Sequence, residues 1–215
     1  MASERRRLGR AVGWRIGVLT VVVAAMVAWI AVPIVTAEPG GSSGQTLNQE
    51  GFPLEVSATG DDGRTRTLQA EVEGAPGRDL SSLTVGDRII VSGSGYDGSS
   101  GIYVAVCKVP DAADQRPGPC LGGVPSTEVD GDETEGVVEY AASNWINDEW
   151  AWRLFGARSF DDPRSGTFTA YIEIQSASDE NVDCTAVACG LYSRNDHTDL
   201  ENRVQDLYLP VGFSE

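Results

Sequence analysis

The chain is 215 residues long, 41% hydrophobic and 7% aromatic, which suits one packed domain and is too apolar for a disordered tail. Five of its 16 basic residues lie within the first 15 positions, so the stretch after residue 37 carries 11 basic and 31 acidic residues, a net charge of −20. A surface so acidic repels phosphate backbones and anionic headgroups, which argues against nucleic acid as a partner.

Residues 1–15 hold Arg5, Arg6, Arg7, Arg10 and Arg15, and residues 16–37 (IGVLTVVVAAMVAWIAVPIVTA) carry no charge. This is the n-region and h-region order of an export signal, with Val35-Thr36-Ala37 as an acceptable small-residue cleavage site. The 22 uncharged residues exceed a usual h-region and match the ~20 that cross a bilayer as a helix. That length leans the reading toward a retained transmembrane anchor over a cleaved signal peptide. In either form the basic side stays cytoplasmic and the remainder lies outside, anchored to the cell membrane or secreted. Residues 38–50 (EPGGSSGQTLNQE) are rich in Gly and Ser and read as a flexible linker.

Residues 51–215 read as one extracytoplasmic β-sandwich domain. Leu54, Val56 and Ala58 alternate with polar residues, Asp61-Asp62-Gly63 supplies a hairpin turn, and Leu68, Ala70 and Val72 alternate again. Further strand candidates are residues 88–92 (RIIVS), 102–107 (IYVAVC), 136–141, 167–174, 190–193 and 207–211. Short strands at this spacing, with no long helix-period segment between them, predict an all-β sandwich. The four cysteines, Cys107, Cys120, Cys184 and Cys189, form an even set behind an export-type segment and read as disulfides. A zinc site needs closely spaced ligands such as C-x2-C pairs, and no histidine stands near these cysteines, so no metal or cofactor is expected.

Two stretches carry a family likeness. One runs Val91-Ser92-Gly93-Ser94-Gly95, then Gly98, then Tyr103-Val104-Ala105-Val106-Cys107, with Cys120 beyond it. The other is Val182-Asp183-Cys184-Thr185-Ala186-Val187-Ala188-Cys189-Gly190-Leu191. Together they resemble the neocarzinostatin family, the apoproteins of actinobacterial enediyne chromoproteins, over residues 83–120 and 181–191, with a looser match at 207–213. The resemblance implies an immunoglobulin-like antiparallel β-sandwich with Cys107 paired to Cys120 and Cys184 to Cys189. It also implies a small aromatic ligand held in a cleft walled by the disulfide hairpins. The spacing agrees, because cysteines this close staple local hairpins and cannot join two sheets in the antibody manner; a loop of about fifteen residues gains ~3 kcal/mol. Gly93 and Gly95 read as flanking a turn that needs permissive backbone angles. Val109 stands where some members carry an aromatic residue, and residues 142–164 have no counterpart.

That unmatched stretch holds Trp145, Trp150 and Trp152, three of the five tryptophans. They read either as a plug packed on the sandwich or as a binding platform for sugars or aromatic ligands. Trp145, Trp150, Trp152 and Asp148 are the candidate ligand-binding residues, with Asn144, Asn147 and Glu149 as further hydrogen-bonding groups. On an extended strand Trp150 and Trp152 share one face, so both are expected to be packed, with Trp145 nearer the rim. The run Arg194-Asn195-Asp196-His197-Thr198-Asp199 invites a catalytic reading with His197 as base and a serine as nucleophile, but no G-x-S-x-G elbow accompanies it, and so polar a run suits a connecting loop. The acidic runs Asp61-Asp62-Gly63 and Asp130-Gly131-Asp132-Glu133 lack calcium-loop spacing and read as solvated loops.

The sequence therefore favours a non-enzymatic cell-envelope domain that binds a small molecule, a glycan or an envelope protein through one end of the sandwich. A hydrolase using His197 and a purely structural surface domain are the alternatives. A reporter fused after Glu215 is expected to be active only in its exported form, and cytoplasmic activity overturns this topology.

Overall fold

The computed structural model describes Trp14 and residues 17–29, 40–123 and 139–214. The basic segment 1–15 apart from Trp14, the cleavage site at 35–37, the acidic run 130–133 and residues 136–138 lie outside the described residues. The chain forms two compact units, Met1–Ala37 and Glu38–Glu215. In the first, Trp14 and residues 17–29 are helical and belong to α1. Among the described residues no helix is long and apolar enough to cross a membrane.

The second unit is an antiparallel β-sandwich. One sheet pairs β2 (Glu55–Thr59), β3 (Thr65–Val72), β4 (Arg88–Ser94) and β7 (Phe168–Glu173) in the order β2-β3-β4-β7. The other has the order β10-β8-β5-β6, from β5 (Ile102–Lys108), β6 (Ser143–Ile146), β8 (Cys189–Asn195) and β10 (Leu207–Val211). A short parallel pair, β1 (Gly40–Ser42) with β9 (Asn202–Arg203), lies beside them, and α2 is a single turn, Trp150–Arg153. Consecutive strands β4 and β5, β6 and β7, and β7 and β8 belong to opposite sheets. This is the B, C, C′, E, F pattern of an immunoglobulin-like Greek key, closed by β10 as G.

Alternation places Leu68, Ala70 and Val72, Ile89 and Val91, and Phe168, Ala170 and Ile172 on the inner face of the first sheet. Ile102, Val104, Val106, Ile146, Leu191, Leu207 and Leu209 face them from the second sheet and complete one core. Gly93 is a strand residue, contrary to its reading as a turn flank. A Cβ there would lie 2.0 Å from the Phe168 ring, so the glycine leaves room for that ring. Gly95 does make the turn, at φ +78°.

Expected strands at 54–58, 68–72, 88–92, 102–107, 167–174, 190–193 and 207–211 correspond to β2, β3, β4, β5, β7, β8 and β10. The expected strand at 136–141 has no extended element in its described part; the strand forms just beyond, as β6. β6 escaped the pattern because it is four residues long and its buried Ser143 and Asn144 leave neither alternation nor an apolar run. Residues 40–50, expected to be a flexible linker, are docked. The Gln45 amide donates to the Tyr208 carbonyl at 2.7 Å and accepts from the Tyr208 N–H at 2.7 Å. It thereby satisfies the open edge of β10 as a strand would. The Tyr208 hydroxyl in turn donates to the Leu47 carbonyl.

Both disulfides close local hairpins, Cys107–Cys120 across 13 positions and Cys184–Cys189 across 5. The first extends β5, with Lys108 N–H donating to Pro119 O and Leu121 N–H to Val106 O, both at 2.9 Å.

The inward face of β3 also carries Arg66, which is 1% exposed. Its guanidinium forks onto Asp62 at 2.9 and 2.5 Å, while Nε has no hydrogen-bond partner. Those bonds hold the Asp62 carboxyl below its ordinary value of 3.8. Asp62→Asn is expected to lower stability by about 3–5 kcal/mol in urea denaturation, because it strands a buried charge. The Asp62 contribution is present above pH ~4 and lost as pH falls through its depressed native value. The wild type therefore loses more stability below pH 4 than Asp62→Asn does.

A candidate ligand-binding face on the second sheet

Every residue of β5 up to Cys107 is buried, so its outer side chains, Tyr103, Ala105 and Cys107, are covered as fully as its inner ones. Tyr103 packs with Trp145, Ala157 and Trp152. Ala105 and the first disulfide pack with Tyr192, Tyr208, Leu47 and Val109. Tyr192 and Tyr208 stack at 4.9 Å and 13°. Val109, at the position aromatic in some members of the family, is thus part of this cover.

The tryptophan segment departs from expectation. Trp145 is 8% exposed and Trp150 is 73% exposed, which reverses the expected assignment of rim and interior. The reason is local geometry. Residues 150–153 form a helical turn, where neighbours two apart point about 200° apart instead of along one strand face. Trp152 turns inward, its ring 5.6 Å from Trp145 and 4.9 Å from His197. Trp150 turns outward and, with Leu154 and Phe155, forms an exposed apolar knob.

A buried carboxylate holds this end together. Asp196 Oδ2 accepts from Trp145 Nε1 and from Asn147 Nδ2, both at 2.9 Å, and Oδ1 accepts from the Thr198 N–H and hydroxyl at 2.8 and 2.6 Å. Gly101 permits this approach, since a Cβ there would lie 1.9 Å from Asp196 Oδ2. Asp148 has a similar internal role, its Oδ1 accepting the Phe160 N–H at 3.1 Å. Asn144 clamps the two sheets, donating to Tyr171 O at 3.1 Å and accepting the Tyr171 N–H at 2.8 Å.

His197 makes no hydrogen bond to Asp196. Its Nδ1 pairs with the Tyr103 hydroxyl at 2.8 Å. Burial first, and then the Asp196 charge, push that hydroxyl up to about 12, so it stays protonated at neutral pH. No serine hydroxyl bonds to His197 among the described residues. The pair lacks the carboxylate–imidazole–nucleophile order of a hydrolytic triad. Among the described residues no three His, Cys, Asp or Glu side chains gather to hold a metal.

Among the described residues, the outer face carries a groove beside the first disulfide. It measures about 370 Å³ and is lined by Arg116, Pro117, Gly118, Pro119, Cys120, Gly123, Asn181 and Arg194. Arg194 projects from β8, its Nη1 donating to Pro117 O at 3.1 Å and its guanidinium 5.7 Å from the Tyr103 ring centre. Beyond Pro117, a small cavity of about 20 Å³ is lined by residues including Tyr192 and Asp206. Asp206 pairs with Arg203 at 2.8 Å, and burial raises its carboxyl to about 6. None of these groove residues stood out in the sequence except Cys120. Arg194 and Asn195 lie in β8, although the polar run beginning there read as a loop. The available signal was the unbroken strand from Cys189, which carries Arg194 outward on the face shared with Tyr192.

No family model matches the chain, and no curated protein matches it. One solved structure that does is macromomycin, at 13% identity over 68% of this chain and 99% of that one, with a TM-score of 0.35. A likeness at that level carries no argument, and the fold and site stand on their own geometry.

Trp145→Ala is expected to cost about 3–5 kcal/mol, because it opens the core of the aromatic cluster and removes one of the two donors to the buried Asp196 Oδ2. Trp150→Ala is expected to stay within about 0.5 kcal/mol of wild type. Parallel urea denaturations of the two variants check this ordering.

Proposed function

We propose that this chain is a non-enzymatic ligand-binding domain that works outside the cytoplasmic membrane and holds a small molecule against its second sheet. The groove beside the first disulfide carries the reading. Its ~370 Å³ falls within the ~300–1,000 Å³ usual for small-molecule sites. The likeness of the cysteine and glycine motifs to the neocarzinostatin family supports the same location, since there the ligand's cleft is walled by disulfide hairpins. The engagement of Asp196 and His197 with other partners favours binding over hydrolysis. Two disulfides support an oxidising, extracytoplasmic setting, as does the basic-then-uncharged order of residues 1–37.

A second reading concerns the knob of Trp150, Leu154 and Phe155. Exposed tryptophan beside apolar neighbours is the composition of a protein-binding hot spot, and this knob sits apart from the residues that line the groove.

Asn181 is exposed and lines the groove without entering the core. Asn181→Trp is expected to weaken binding of the neutral apolar fluorophore N-phenyl-1-naphthylamine about tenfold or more, at unchanged stability within about 0.5 kcal/mol. Fluorescence titration beside a thermal melt reads both quantities. Equal probe affinity in wild type and variant overturns the groove as the ligand seat.

A further inference from the structure

We propose, resting on the groove as the ligand seat, that its occupant is a small organic acid whose single carboxylate, sulfonate or phosphate is gripped by Arg116 and Arg194 while an apolar ring lies along Pro117, Pro119 and Cys120.

The charge distribution is the first support. Residues 38–215 hold 31 acidic side chains against 11 basic ones, so carboxylates are abundant. Arg64, Arg66, Arg78, Arg88, Arg164 and Arg203 each pair with one; Lys108, Arg153 and Arg158 are in no ion pair among the described residues but line no part of this groove. Arg116 and Arg194 line one groove, and among the described residues neither is in an ion pair. Asp206, the acid whose charge acts on both, is already held by Arg203 at 2.8 Å. Two like charges have been brought to one concave surface in a protein with acid to spare, which favours an anion arriving from outside.

Arg194 is also preorganised to receive it. Nη1 is fixed on Pro117 O at 3.1 Å, and the guanidinium lies over Tyr103. The Nε of Arg194 is buried without a hydrogen-bond partner, and no hydrogen bond to a described residue engages Nη2. Nη2 is therefore the donor left for a carboxylate or phosphate, through a charge-assisted hydrogen bond. Burial, and then the charge of Arg116, bring Arg194 down to about 10, a repulsion that a bound anion relieves. The remaining wall is Pro117, Gly118, Pro119, Cys120, Gly123 and Asn181, which offers an apolar body contact area and one polar side chain.

Two fluorophores sharing one ring system separate charge from shape. 1-Anilinonaphthalene-8-sulfonate carries one negative charge, and N-phenyl-1-naphthylamine lacks the sulfonate. In titrations of the purified full-length protein the sulfonate is expected to bind about tenfold or more tightly than the neutral probe. Arg116→Gln and Arg194→Gln are each expected to remove most of that difference, read as the ratio of the two probes' affinities in the same variant, with thermal melts confirming a folded protein. Arg116 is exposed, so its replacement tests the idea even if Arg194→Gln unfolds the domain. Added salt is expected to weaken the sulfonate alone, and Trp150→Ala to change neither probe. Saturable binding of both probes with equal affinity overturns the acid preference and leaves the ligand seat standing. Failure of both probes to bind saturably overturns the seat and the acid preference together.

Discussion

The outer face of β5 is the constraint on which the rest of the domain depends. A sandwich strand ordinarily buries one face and leaves the other to solvent. Here Tyr103, Ala105 and Cys107 point away from the core and are apolar or aromatic enough to require a second cover. Three otherwise unrelated pieces of chain meet that need: residues 40–50, the loop closed by Cys107 and Cys120, and the tryptophan segment after β6. Each lies outside the Greek key, and each is held by specific bonds. The domain thus has two apolar layers, one between its sheets and a thinner one on the outside of the second sheet.

Polar groups inside those layers are handled by close pairing. Asp196 divides its two oxygens among Trp145, Asn147 and Thr198, so a buried carboxylate is fully engaged and ties the end of β6 to the turn after β8. Arg66 and Arg203 are treated alike, each bonded to one carboxylate nearby in sequence. Breaking such a pair leaves a stranded charge, which makes these contacts more sensitive than their net worth implies. Arg116 and Arg194 differ from these two, since among the described residues no carboxylate pairs with either and both line one groove.

The two ends of the outer cover therefore differ in kind. Around Tyr103 the aromatic rings close on one another, leaving only the Trp150 knob outside. Beside the disulfide the cover is incomplete, and a concave surface of prolines, glycines and arginines remains. A sulfur bridge and a loop with three prolines stiffen that surface, and a stiff surface limits the entropy lost when a ligand binds.

The sequence alone determined the strands whose two faces differ. Polar and apolar residues alternate through Leu68, Ala70 and Val72, and turn residues bound each run, so β3 and its neighbours were legible from period and punctuation. The cysteine pairing was legible for a related reason, since short loops admit few geometries and the motifs resemble a known family. Where both faces are buried the period vanishes; β5 was still legible as an apolar run, whereas the short β6, with buried Ser143 and Asn144, could not be read. Whether Trp145 or Trp150 faces solvent was decided only by the tertiary structure. That choice turns on whether four residues take a helical turn or a strand, and packing against Tyr103 and Asp196 selects between them. The groove is likewise a tertiary product. Arg116 and Arg194 are 78 positions apart in the chain, and only the return of the disulfide loop over β8 brings them to one surface.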